Sequence, residues 1–296
     1  VVEYSTPPRE IRGIYEDLAR DVFDREEQLR KELPIETTAG ISTHLSGVAD
    51  DWKTGHKSLR TLPVCNVFAC QRSQPLGDPL KRLLTSLDAS VNVLDDIIDT
   101  QELSTESRIA LTVNAAFSAT LLAENCPPDI RSEVCSRLRN YFTALFQIPL
   151  VEQQLFESLR DAETKQQRQR TAEEIYAYRS RDIDAFVRIA AVVSELDPEY
   201  EQQLLRDLRT YRAHRLLFKD IYDVERDLTD DDMTPVVYLL QQYDSTESVV
   251  CVVEGLYRRF SYSDRGNQQY GDILCELEDP PSDLHSTLQE KKKLVR

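Results

Sequence analysis

Residues 78–99, DPLKRLLTSLDASVNVLDDIID, set Leu80, Leu83, Leu84, Leu87, Val91, Leu94 and Ile98 three and four positions apart. At 3.6 residues per turn only a helix gathers that spacing onto one stripe, and the stripe runs for about six turns. Asp78-Pro79 supplies the start, because proline is tolerated in the first helical turn. The same period returns at 7–33, 106–124, 129–160, 165–195, 198–228, 234–260 and 282–295. Breaks are marked by Pro127-Pro128, Asp197-Pro198 and Pro280-Pro281, while residues 34–64 are less regular.

Strands joined by tight turns need glycine, and so do phosphate-cradling loops. The 296 residues hold only 8 glycines, far below the usual frequency of roughly 7%. No G-x-G-x-x-G or G-x-x-x-x-G-K-[ST] stretch occurs, which argues against nucleotide folds built on those loops. With no glycine- or serine-rich linker and no short repeat, the expectation is an all-α protein with one domain over 1–296.

Net charge is −16, with 27 arginines against 9 lysines among the basic residues. A surface this acidic repels phosphate backbones, so a broad nucleic-acid role is not expected. The excess suits either an ordinary acidic cytosolic protein or a cytosol of very high salt, where repulsion is screened. Cys65, Cys70, Cys126, Cys135, Cys251 and Cys275 show no C-x-x-C pair and read as reduced core residues. No leader of signal-peptide type is recognised. No apolar run approaches the roughly 20 residues of a membrane span; 185–193, AFVRIAAVV, comes nearest and is interrupted by Arg188. A soluble, cytoplasmic protein with no membrane span is expected.

Within 93–100, VLDDIIDT, three aspartates enter the apolar helix. At about 100° per residue, Asp96 lies about 100° and Asp99 about 40° from Asp95, and Asp88 falls about 20° away on the same stripe. Carboxylates so close repel unless a cation lies between them, and Mg2+ prefers such oxygens and commonly arrives with substrate phosphates. With 27 aspartates, D-D-x-x-D is expected about 0.2 times by chance, and a solvated acidic face is the competing explanation. A second cluster, KDIYDVERD at 219–227, puts Asp220, Asp223 and Asp227 on one helical face with Lys219 ahead of them. Two helices presenting carboxylates to a common cavity could hold Mg2+ around a diphosphate. Asp227 can also be read as a helix-end acid and Asp230, Asp231 and Asp232 as a loop. Tyr222 reads as a core tyrosine. His56 and His214 lack a second His or Cys at metal spacing.

Taken in order, these segments resemble the trans-prenyl diphosphate synthases of the polyprenyl synthetase family, with the class I isoprenoid synthase fold. GHKSLRTLP (55–63) is similar to the family's G-K-R-x-R-P, through Lys57 and Arg60. DDIID corresponds to its first aspartate-rich motif, Arg179-Ser180 stands where the family has Lys-Thr, and KDIYDVERD corresponds to D-D-x-x-D-x-x-x-D. Thr234-Pro235 in DDMTPVVYLL resembles the G-K-x-T-x-P segment, and DLHSTLQEKKKLVR the closing helix. The resemblance implies a helical bundle around a central cavity and, usually, a homodimer. It implies Mg2+ on Asp95, Asp96, Asp99, Asp220 and Asp223, and diphosphate contacts from Lys57, Arg60, Arg179 and Lys219. Of these, Asp95, Asp96, Asp99 and Arg179 would assist departure of the leaving group. The activity implied is ionisation of an allylic prenyl diphosphate and its condensation with isopentenyl diphosphate. Ser90, five before the first motif, would leave room for a chain of C20 or more.

Four departures weaken that pattern. Asp88 stands where the family has a histidine for isopentenyl diphosphate, placing a negative charge opposite an anion. Ser58 and Thr61 replace a basic residue and a proline. The arginine pair after the first motif is reduced to Arg108. Lys219 replaces an acid, with Arg215-Leu216 for the upstream Phe-Gln. Two alternatives follow: a terpene-synthase-like or squalene/phytoene-synthase-like enzyme, which needs no isopentenyl site, or a non-catalytic homologue serving as a partner subunit.

Overall fold

The computed structural model describes residues 5–32, 60–99, 105–260, 271–278 and 281–295. Among these every regular element is a helix, so the all-α expectation holds. Contacts group them into two compact units, Val1–Ser136 with Ile189–Glu195, and Arg137–Arg188 with Leu196–Arg296. No helix among the described residues is long and apolar enough to cross a membrane.

The first unit contains α1 (Pro8–Glu32), α2 (Thr61–Arg72), α3 (Asp78–Asp99) and α4 (Thr105–Glu124). Ile11, Tyr15, Leu18 and Val22 of α1 and Leu83, Leu84, Leu87 and Val91 of α3 are fully buried, the stripes their spacings require. α3 packs most extensively on α4, with α1 and α2 also against it. The unforeseen α2 has no polar face: Thr61 through Ala69 are buried in succession. Three hydroxyls on α3, Thr85, Ser86 and Ser90, bond back to the carbonyls of Lys81, Arg82 and Ser86. In this way small polar side chains sit inside the unit without orphaned donors.

The second unit is built around the 25-residue α9 (Pro198–Tyr222), about 37 Å long at 1.5 Å per residue. Before it come α6 (Ile148–Arg160), α7 (Lys165–Arg179) and a 3-10 turn (Ser180–Ile183); after it come α10 (Val224–Thr229), α11 (Pro235–Gln242), α12 (Thr246–Phe260), α13 (Gly271–Glu278) and α14 (Leu284–Leu294). α5 (Arg131–Leu145) and α8 (Asp184–Val193) complete the order. α9 packs on α7, the 3-10 turn, α12 and α11. Leu217, Phe218 and Ile221 of α9 share a core with Tyr176, Val236, Val253 and Leu256.

Helix starts follow local chemistry. Asp197 accepts from the Glu199 and Tyr200 amides ahead of Pro198, and Thr164 and Gln167 form a reciprocal capping box. Thr234 accepts from the Val237 amide with Pro235 at the first position of α11, so the Thr-Pro pair has a structural role of its own here. The C-terminal α14 is fixed by lysines. Lys291 donates to the Tyr222 carbonyl at 2.9 Å, and the buried Lys292 to the Leu240 and Tyr243 carbonyls.

Two cysteine expectations are corrected. Cys65 and Cys126 are buried, but Cys135 and Cys251 are exposed, because neither falls on the buried stripe of its helix. Burial pushes the Cys65 thiol up to about 12.

Candidate functional site

The first acidic run lies at the C-terminal end of α3, whose last turn contains no basic residue. A helix C-terminus carries the negative end of the macrodipole, so acids there are unfavourable until a cation joins them. Asp95 is exposed; the side chains of Asp96 and Asp99 lie outside the described residues, as does Lys57. Ser90 is buried, with its hydroxyl on the Ser86 carbonyl at 2.9 Å.

Asp88 and Arg60, two of the positions compared with the isopentenyl diphosphate site, meet each other. The Asp88 carboxylate is fully buried. Its Oδ1 accepts from Arg60 Nη1 at 2.9 Å, and its Oδ2 accepts from the Arg60 and Thr61 amides at 2.9 and 3.2 Å and from the Thr61 hydroxyl at 3.2 Å. It thereby satisfies the first amides of α2 as well as the guanidinium. Arg60 Nη1 also donates to Asn92 Oδ1 at 3.1 Å, and Asn92 to the Tyr15 hydroxyl at 2.9 Å. The negative charge at Asp88 is thus matched from within, which the sequence could not show.

The second cluster lies in the other unit, where α9 gives way to α10. Asp220, Asp223 and Asp227 are 2%, 5% and 3% exposed, so the solvated helix-end explanation fails for Asp227. Asp220 Oδ2 accepts from the Tyr176 hydroxyl at 2.8 Å and from Arg179 Nη1 at 3.0 Å. Arg179 also faces Glu152, with Nε 3.5 Å from Oε1. Asp223 Oδ2 accepts from Arg226 Nη2 at 2.6 Å. Asp227 is more weakly matched: its Oδ1 lies 3.6 Å from Arg226 Nη2, and its Oδ2 is buried without a hydrogen bond. Burial, followed by the charges of Asp220 and Asp232, pushes its carboxyl up to about 7, against the pull of Arg226.

Burial pulls the Arg179 guanidinium down, but Asp220 and Glu152 more than offset it and leave it well above its ordinary value. Burial, then the Asp220 charge, likewise holds the Tyr176 phenol well above its usual range. The Lys219 ammonium is half-buried in the last turn of α9. His214 packs tilted against the Phe218 ring and edge-to-face with Tyr257 in the core, and Tyr222 is exposed rather than buried.

The carboxylates of the second cluster do not fit the metal that the resemblance implies. Asp220 and Asp223 are engaged by arginines. Among the described residues no group of three His, Cys, Asp or Glu side chains is placed to hold a metal ion. The residues missed in the sequence are Tyr176, Glu152 and Arg226. Arg226 was legible, three residues after Asp223. So was the helical i, i+3 relation of Tyr176 to Arg179.

A scan against protein-family models finds no match to this chain, and no curated protein matches it.

Proposed function

We propose that this all-α chain takes an allylic prenyl diphosphate, such as farnesyl diphosphate, and releases its diphosphate without joining it to isopentenyl diphosphate. The reaction class is that of terpene synthases and of squalene or phytoene synthases. The allylic C–O bond breaks with its electron pair leaving on the diphosphate, and a proton lost from the cation restores neutrality. The observation that carries this reading is the buried Arg60–Asp88 pair, 2.9 Å apart. Condensation to a C20 or longer product, with Ser90 setting length, would need Arg60 to release Asp88, at a cost of about 3–5 kcal/mol for an uncompensated buried charge.

In this reading Mg2+ belongs with Asp95, Asp96 and Asp99, where the end of α3 favours a cation. The homodimer comes into the proposal from the family resemblance, and the cytoplasmic setting from the charge and cysteine pattern of the sequence. The test is incubation with Mg2+, labelled isopentenyl diphosphate and geranyl, farnesyl or geranylgeranyl diphosphate, at low and at multimolar KCl. Diphosphate released from the allylic substrate alone, with no label in extractable product, is the expected result. A longer labelled prenyl diphosphate would overturn it and restore the elongating reading.

The arginines on Asp220 and Asp223 favour a second reading, a non-catalytic homologue acting as the partner subunit of an active synthase. Silence in every lane, with co-purification of an active synthase, is the outcome that reading expects.

A further inference from the structure

Asp220 is held by a chain of partners that crosses three helices. Glu152 on α6 meets Arg179 on α7, Arg179 meets Asp220 on α9, and Tyr176, one turn before Arg179, donates to the same Asp220 oxygen. Tyr176 is fully buried and Arg179 stacks over its ring at 5.9 Å. A carboxylate has two oxygens to offer a cation, and at Asp220 one of them, Oδ2, is already taken by a guanidinium and a phenol. Turning that oxygen onto a cation would leave the Arg179 guanidinium, whose side chain is 18% exposed, with Glu152 alone and the buried phenol without its acceptor.

We infer that Asp220 anchors a buried ion-pair lock joining α6, α7 and α9 and is not a ligand of the implied metal, with Tyr176 and Glu152 as its positioning residues. The lock is built within the second unit alone and holds whatever the substrate of the chain is.

The sign of one stability change separates the lock from a metal site. In a metal-free cluster of carboxylates, removing one acid relieves repulsion and leaves the protein as stable or more so. In a lock, removing the acid leaves a buried guanidinium without the nearer of its two carboxylates and destabilises.

The experiment is thermal unfolding of the full chain, first in EDTA and then with MgCl2. Asp220→Asn melts roughly 5–10 °C below wild type in EDTA, and Mg2+ moves both proteins by the same increment. Tyr176→Phe melts lower by a smaller margin, and the double variant loses less than the two single losses added together. Should Asp220→Asn be too unstable to fold, Tyr176→Phe and Glu152→Gln carry the same comparison, each lowering the melt in EDTA and leaving the Mg2+ increment unchanged. The lock is overturned by an Asp220→Asn protein that melts at or above wild type in EDTA, or by a wild-type Mg2+ stabilisation that any of these variants abolishes. The product assay can fail while this result stands, so the two conclusions fall separately.

Discussion

Asp220 and Asp227 lie seven residues apart and meet burial in opposite ways. Asp220 is matched by partners: Arg179 and Tyr176 both donate to its Oδ2. Asp227 has a buried oxygen with no donor, and its carboxyl is pushed up to about 7. Its folded-state value therefore lies above the ordinary carboxylate range, so between roughly pH 4 and 7 the folded protein binds more protons than the unfolded chain. Stability contributed by this group is present at the acidic end of that window and is lost as pH rises toward 7. Asp227→Asn keeps the shape without the charge. It is expected to raise the melting temperature at pH 8, to change it far less at pH 5, and to flatten the profile between. Melts of both proteins across pH 5–8 check this, and a variant no more stable than wild type at pH 8 counts against a strained carboxylate.

Pairs of this kind escape local reading. Arg60 and Asp88 are 28 residues apart and Tyr176 and Asp220 are 44. The sequence displayed each charge and no sign of its partner.

Helices of this chain were legible where their ends carry chemistry and obscure where tertiary contacts end them. Asp197-Pro198 marked the start of α9 because the aspartate caps the Glu199 and Tyr200 amides. Asp197→Ala should cost about 1 kcal/mol, roughly 2–4 °C in melting temperature, without altering far-ultraviolet helicity at 20 °C. A loss below 0.5 °C would show that the cap contributes nothing. By contrast the expected helix 165–195 is interrupted by the 3-10 turn at Ser180–Ile183, with no proline or glycine to announce it. The reason is tertiary: Asp182 in the turn pairs with Arg212 of α9, its Oδ2 2.7 Å from Nη2, and its carbonyl accepts from the Tyr141 hydroxyl at 2.6 Å. Helix α2 was hidden for another reason. A helix buried on all sides has no polar face, and TLPVCNVFA therefore shows no period to find. At the candidate site the helices that carry Asp95 and Asp220 were legible from their period, but the break at Asp223, which splits the expected helix 198–228 and sets Asp227 on α10, was not. Which acids are matched by arginine was not legible either.

At the scale of the whole chain, charge outweighs every local feature. A net charge of −16 opposes compaction, because every carboxylate on a folded surface is closer to its neighbours than in the unfolded chain. Salt weakens that repulsion: the screening length falls from ~10 Å at 0.1 M to ~3 Å at 1 M. Screening also weakens exposed attractive pairs such as Arg12–Glu16 and Arg170–Glu174, but surface pairs of this sort contribute about 0–1 kcal/mol each at most. The buried pairs Arg60–Asp88 and Arg212–Asp182 are largely shielded from ions and keep their strength. Repulsion is thus the part of the balance that salt changes most, and the melting temperature should rise from 0.1 to 1 M KCl. Little further gain should come between 1 and 3 M, where the screening length is already shorter than the spacing of surface charges. A melting temperature that stays level or falls over the first interval would mean that repulsion is not what limits this fold. A rise confined to the second would assign the effect to exclusion of salt from the surface instead of screening.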